Sequence, residues 1–318
     1  MSATPFALEL QRYGPHMGTA DAVAPATARQ YCRHLAETHY ENFTVASQLL
    51  PRDLRQHFCN VYAYCRWADD LADEVTNGDE GLRLLDWWES LLDAMYGGHA
   101  WHPVFVALAE TVERFDIPRD PFADLLIAFR QDQTIKRYAT WNDLLEYCRN
   151  SANPVGRLVL YLARRHREEL LPFSDAVCTG LQLANFWQDL GRDLDIGRIY
   201  VPQEAMEAAG LSVDDFCTRQ VTPEFRQMMA GLVARARALL NYGWPLVGEM
   251  PGSLRIAMAL FIQGGLAILE AIQAQDYDVW RHRPTISRNQ QLRLLFRAIA
   301  AACFPGRFAR PRNAVAEP

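Results

Sequence analysis

The sequence predicts an all-α protein on three observations. Apolar residues recur at helical spacing along nearly the whole chain, strand-like alternation is almost absent, and the segments between chain breakers run long enough for several helical turns. The breakers are Pro51, Asn77 with Gly78, Gly97 with Gly98, Pro118, Pro121, Asn153 with Pro154, Pro172, Pro202, Pro245 and Pro251. No Gly/Ser-rich linker or shift in composition divides these segments, so they read as one domain of roughly eight to ten helices. Residues 1–27, rich in Ala, Pro and Gly, read as a loosely ordered lead-in, residues 28–304 as the helical domain, and residues 305–318 as a Pro/Arg-rich tail.

Half of the 318 residues are hydrophobic, enough to bury a large core. The formal charge of -6 lacks the basic bias that a nucleic acid would require, so no nucleic-acid partner is expected. An acidic chain that binds an acidic ligand needs local cations or metal. The seven cysteines form no CxxC pair and have no histidine at zinc-site spacing, which predicts buried thiols in a reducing cytoplasm. No segment has the order of a signal peptide, and no apolar run approaches the ~20 residues needed to cross a bilayer, so the chain is expected to be soluble or peripheral to the inner membrane.

The segment Arg55 to Val75, RQHFCNVYAYCRWADDLADEV, places Tyr62, Arg66, Asp69 and Asp73 within one narrow helical arc. Phe58, Val61, Cys65 and Ala72 form an apolar stripe alongside it, so Asp69 and Asp73 are expected to border the core while Asp70 and Glu74 point outward. The competing reading is a solvated face with an internal Arg66–Asp69 or Arg66–Asp70 ion pair. The segment Cys178 to Leu194, CTGLQLANFWQDLGRDL, is harder to explain as scaffolding. Gln182, Asn185, Asp189 and Asp193 line up on one side of a mainly apolar helix, which predicts an inward stripe. Buried carboxylates without compensation are costly, so the stripe implies cations or a wet cavity; a structural polar network is the other reading.

Mg2+ prefers carboxylate oxygens, keeps several waters and commonly bridges one or two carboxylates to substrate phosphates. Carboxylates one turn apart on two helices suit a cluster of such ions around a diphosphate, whose departure the metals would assist as Lewis acids. Arg66 and Arg198 are the candidate cations nearest the two acidic faces, with Lys136, Arg137 and Arg157 as helpers or plain surface residues. No Gly-rich phosphate loop is present. Phe43, Tyr62, Tyr147 and Phe186 lie near these motifs and are candidates to stabilise a carbocation, or simply to pack.

The blocks HYENFTVASQLLP (His39 to Pro51), VYAYCRWADDLADE (Val61 to Glu74), DQTIKRY (Asp132 to Tyr138), YCRNSANPVG (Tyr147 to Gly156) and QLANFWQDLGRDLDIGRIYVP (Gln182 to Pro202) resemble, in order and spacing, the squalene/phytoene synthase family. The resemblance runs from about His39 to the DYDVWRHRP run near Tyr277. It implies an isoprenoid synthase-type helical bundle with a central active-site cavity. It also implies catalytic roles for Asp69, Asp73, Asp189, Asp193 and Arg66, and Mg2+ ligation by Asp69, Asp73, Asn185, Asp189 and Asp193. By the same resemblance Gln182, Arg66, Arg198 and His39 would hold diphosphate, and Phe43, Tyr62, Tyr147, Ala152 and Gly156 would line a prenyl channel.

ENFTVASQLLP, SANPVG and NFWQD are similar to the bacterial hopanoid-pathway branch of that family, which implies conversion of presqualene diphosphate and water to hydroxysqualene and diphosphate without NADPH. A functional association with a presqualene diphosphate synthase and other hopanoid-pathway enzymes would follow. Many condensing relatives have arginine where Gln188 stands, and a late-helix tyrosine where Gly265 stands; a site handling one diphosphate needs fewer cations and donors. The alternatives are a head-to-head prenyl transferase making presqualene or phytoene diphosphate, an NADPH-dependent squalene synthase, and a non-catalytic helical lipid-binding scaffold.

Overall fold

Helices supply nearly all the regular structure in the computed structural model, which describes residues 5–18, 23–39, 50–74 and 78–303. In chain order they are α1 (Pro5–Tyr13), α2 (Pro25–His39), α3 (Arg52–Asp73), α4 (Gly78–Tyr96), α5 (Pro103–Phe115), α6 (Asp120–Thr134), α7 (Trp141–Ser151), α8 (Asn153–Leu162), a short 3-10 turn (Glu168–Leu170), α9 (Leu171–Asp195), α10 (Gln203–Ala208), α11 (Val213–Thr218), α12 (Pro223–Tyr242), α13 (Leu246–Glu249), α14 (Leu254–Ala274) and α15 (Arg288–Cys303). Short helices such as α10, α11 and α13 raise the number above the sequence-based figure. Among the described residues the only β pairing is one parallel bridge, Arg137–Ile199.

The chain divides into two compact units, one of Met1–Thr134 with Leu158–Arg164 and one of Ile135–Arg157 with Arg165–Pro318. No linker in the sequence announces this division. The expected loose lead-in is corrected in part, because α1 lies within it: Phe6 and Tyr13 are buried and meet Trp67 and Tyr31 edge-on, each at 5.2 Å between ring centroids. The tail 305–318 lies outside the described residues.

In the first unit α3 packs against α2, α4, α5 and α6. Its inward face includes Asn60, Tyr64, Trp67, Ala68 and Leu71; of the stripe read in the sequence Val61 and Ala72 are buried with it, while Phe58 and Cys65 are half-buried. Trp67 stacks on Trp88 at 5.2 Å, and the Tyr64 hydroxyl donates to the Phe122 carbonyl at 2.9 Å. His102, wedged among these rings, caps α5 by accepting from the Val104 N–H at 3.2 Å. Burial holds its pKa down near 3, so the ring is neutral and free to accept.

In the second unit α9 packs against α12 and α14, and α14 against α15. The approach of α14 is set by Gly265, where a Cβ would lie 2.7 Å from the Leu181 side chain and 3.0 Å from Leu240. At 21 residues and mean hydropathy 1.7, α14 has the length and composition to cross a membrane, contrary to the expectation that no such segment exists. Gln263, Gly264 and Gly265 interrupt its apolar run in the sequence; in the structure it serves as a core helix against α9, α12 and α15.

Candidate active site

Helix α3 carries Tyr62, Arg66, Asp69 and Asp73 on one side, with the first three half-buried and Asp73 exposed. The outward placement of Asp70 is corrected: Asp70 is buried at 4% exposure, and Asp69 and Asp73 are the more open pair. The inward face is centred on Tyr64 and Trp67 instead of Phe58 and Cys65, which carries Asp70 inward with it. Burial raises the Asp70 carboxyl to about 6, against the opposing pull of Arg66. Arg66 donates through Nε to Asp70 at 3.0 Å and through Nη1 to Asp69 at 3.4 Å, so the intrahelical ion pair is present. Burial also raises the Tyr62 hydroxyl. The guanidinium thus sits between an anchoring carboxylate, Asp70, and an accessible one, Asp69.

On α9 the stripe Gln182, Asn185, Asp189 and Asp193 does not enter the core. Asn185 is exposed and the other three are half-buried, which corrects the expected inward stripe. The buried circumference is Leu183, Ala184, Phe186, Trp187 and Leu190, and Gln188 joins it at 5% exposure. Gln188 donates to the Pro284 carbonyl at 2.6 Å and accepts from Arg283 at 3.1 Å, which fixes the Arg283 guanidinium on Asp189 in a two-pronged pair, one prong at 2.9 Å. The hydrogen bond to Asp189 raises the pKa of Arg283. The shortage of cations inferred from Gln188 is therefore corrected: Gln188 holds an arginine supplied by the chain after α14. Arg283 was missed in the sequence, although it stands in the quoted RHRP run; no local spacing links it to α9.

Beyond α9 the chain turns at Gly197, and the following run is zipped to the segment after α6. Ile199 N–H donates to the Lys136 carbonyl at 3.1 Å, Gln203 N–H to Tyr138 at 2.9 Å, and Arg137 to the Gly197 carbonyl. Arg137 is thereby a strut. Arg198 N–H donates to the Asp193 carbonyl at 2.7 Å, which keeps Arg198 next to the acidic end of α9. Arg157 pairs with Asp175 at 3.0 Å. The zipper closes an aromatic cluster: Phe186 stacks on Tyr200 at 3.7 Å, with Tyr147 and Tyr138 each within 5.9 Å of Tyr200. All four rings are buried, and Tyr138 and Tyr200 were missed although both stand in quoted blocks.

Ala152 is buried at the end of α7. Gly156 is corrected from channel lining to helix contact, since a Cβ there would lie 2.4 Å from Ser174 Oγ and 2.6 Å from Cys178 Sγ on α9. His39 closes α2, but its side chain, like Phe43, lies outside the described residues. A surface cleft of about 550 Å3, lined by Trp141, Glu204, Met228, Leu232 and Arg235 among others, contains none of the expected site residues.

Among the described residues no three His, Cys, Asp or Glu side chains are grouped closely enough to hold a metal by themselves. Asp69 and Asp73 on α3, and Asp189 and Asp193 on α9, instead offer two carboxylates one turn apart on an accessible side. That donor set fits Mg2+ held jointly by one or two carboxylates, water and substrate phosphate, and does not fit an all-protein cage.

Among the described residues, a fold built almost entirely of helices, with two acid-faced helices each joined by a guanidinium, defines an isoprenoid synthase-type enzyme. A family model described as Squalene/phytoene synthase matches residues 36–290, and the chain belongs to that family. Members pair a divalent metal with prenyl diphosphate substrates. The chain is 42% identical to the crystal structure of squalene synthase HpnC from Alicyclobacillus acidocaldarius, with a TM-score of 0.77 over 82% of this chain and 99% of that one. It is 38% identical over 215 residues to the hydroxysqualene synthase of Rhodopseudomonas palustris, covering 66% of this chain and 71% of that protein. Over 276 residues it is 32% identical to the chloroplastic phytoene synthase 3 of Zea mays, covering 85% of this chain and 64% of that protein, just under two thirds of its length.

Proposed function

We propose that the enzyme converts presqualene diphosphate and water to hydroxysqualene and diphosphate with Mg2+. The observation that carries this reading is the likeness to hydroxysqualene synthase at 38% identity, taken with two accessible aspartate pairs that each adjoin an arginine. Bound Mg2+ supplies Lewis acidity to the diphosphate as its ester bond breaks. Asp69, Asp73, Asp189 and Asp193, with Asn185, orient that leaving group; Arg66, Arg283, Arg198 and Gln182 donate hydrogen bonds to its oxygens. The carbon–oxygen bond breaks with its electron pair leaving on diphosphate, the cyclopropylcarbinyl cation rearranges, and water adds its oxygen and loses a proton. No hydride enters this balance, so NADPH has no role in it. Tyr147, with Phe186, Tyr138 and Tyr200, gives the cation aromatic faces that do not attack it, and Ala152 leaves room for the chain. The substrate has to come from a head-to-head condensing enzyme.

Incubation with presqualene diphosphate and Mg2+, with and without NADPH, tests the reading: hydroxysqualene should form equally in both. Squalene formed only with NADPH would assign a reductive synthase. A second reading, condensation of two prenyl diphosphates, is favoured by the phytoene synthase likeness and by the cation that Arg283 restores beside Asp189. Consumption of farnesyl or geranylgeranyl diphosphate alone would identify it.

A further inference from the structure

The last described helix, α15, has an apolar side that packing within its unit does not cover. Leu294, Ala298 and Ala301 are buried, on the side that meets α14. Opposite them Leu292, Phe296 and Ile299 are 53%, 64% and 38% exposed. At ~100° per residue these three fall within about 60° of one another, one continuous stripe in place of the scattered apolar residues any surface carries. Arg288 borders the stripe on one side, and Arg293 and Arg297 lie beyond it on the other; all three are exposed.

The charge on this part of the chain is one-sided. From Arg288 to Ala316 there are six arginines and no Asp or Glu, in a protein of net charge -6. An apolar stripe flanked by cations is what an interfacial helix presents to a membrane, where the apolar side chains enter the acyl boundary and the cations meet phosphates. A second copy fits less well, because two stripes laid together would bring their arginines into one place with no carboxylate on α15 to offset them.

We propose that α15 docks this protein onto the surface of an anionic lipid bilayer, through Leu292, Phe296 and Ile299 flanked by Arg288, Arg293 and Arg297. The docking does not depend on which prenyl diphosphate is the substrate. It would place the enzyme where a long-chain substrate and an apolar product partition.

Sedimentation of the full chain with vesicles tests it, using phosphatidylcholine alone and phosphatidylcholine mixed with phosphatidylglycerol. The chain should bind the mixed vesicles, bind phosphatidylcholine more weakly, and lose part of its binding in high salt. Leu292→Glu with Phe296→Glu and Ile299→Glu should lower binding by about tenfold or more at unchanged melting temperature. Should that triple variant unfold, Phe296→Ser alone should still weaken binding. Arg288→Gln with Arg293→Gln and Arg297→Gln should abolish the preference for anionic lipid. Absence of vesicle binding, or binding unaltered in both sets of variants, would overturn the proposal. So would a dimeric wild-type chain that the apolar-stripe variants render monomeric, since a second copy would then be the occupant.

Discussion

In α3 the cation that meets the aspartates comes from the same helix: Arg66 reaches Asp70 at 3.0 Å and Asp69 at 3.4 Å, one turn away. In α9 the closer cation comes from 94 residues further along the chain, where Arg283 grips Asp189 at 2.9 Å and is steadied by Gln188, while Arg192 of the same helix stands 3.8 Å from that carboxylate. The first arrangement is built into one secondary-structure element and forms whenever that helix forms. The second exists only once the run after α14 has docked on α9. The two acidic faces therefore look alike in sequence yet differ in how they are neutralised, and in what a substitution would disturb.

The largest expected effect treats the two faces as equals. Asp69→Ala or Asp189→Ala should each lower diphosphate release about a hundredfold or more while the far-ultraviolet circular dichroism stays helical. Near-normal turnover in either variant would remove that face from the chemistry. The arginines should behave differently from each other. Arg66→Gln strips the counter-ion from buried Asp70 and should cost about 3 kcal/mol of stability in denaturant unfolding. Arg283→Gln leaves Asp189 half-exposed to water and should cost under about 1 kcal/mol, while turnover falls roughly tenfold. Equal losses of stability in the two variants would erase the contrast.

Acidity sharpens it further. The folded Asp70 carboxyl titrates near 6, above the ordinary value of 3.8, so the native state binds that proton more tightly than the unfolded chain does. Its contribution is full below about pH 4 and is lost as the pH rises through about 6, on the order of 2 kcal/mol. The metal-free protein should show this slope in urea midpoints between pH 4 and 6, and Asp70→Asn should flatten it. Away from the charged groups, Gly156→Ala should cost about 1–3 kcal/mol, because its Cβ would press on Ser174 Oγ and Cys178 Sγ, short side chains with little room to shift. A change of product chain length with no loss of stability would restore Gly156 to the channel.

What could be read in the sequence follows the same division between local and remote. Helical periodicity gave α3 and α9 and put their polar residues on common sides, because both are set by 3.6 residues per turn. The Arg66 ion pairs, three and four residues apart, were readable for the same reason. Periodicity does not say which side of an amphipathic helix its neighbours will cover. Asp70 was placed outside for that reason, and the α9 stripe inside. Arg283, the zipper from Arg137 to Gly197, and the partnership of Tyr138 and Tyr200 with Tyr147 and Phe186 depend on pairings between distant segments, which composition and spacing leave undetermined. The family resemblance supplied the order of the blocks but not their contacts.

We propose that the aspartate pair of α3 and the aspartate pair of α9 each engage Mg2+ and diphosphate. Melting temperature measured with Mg2+ and inorganic diphosphate, added singly and jointly, tests it in the wild-type chain, Asp69→Ala and Asp189→Ala. Joint addition at about a hundred times the dissociation constant should stabilise the wild type by roughly 2.7 kcal/mol. Each variant should lose most of that gain. A full stabilisation in either variant would contradict the claim.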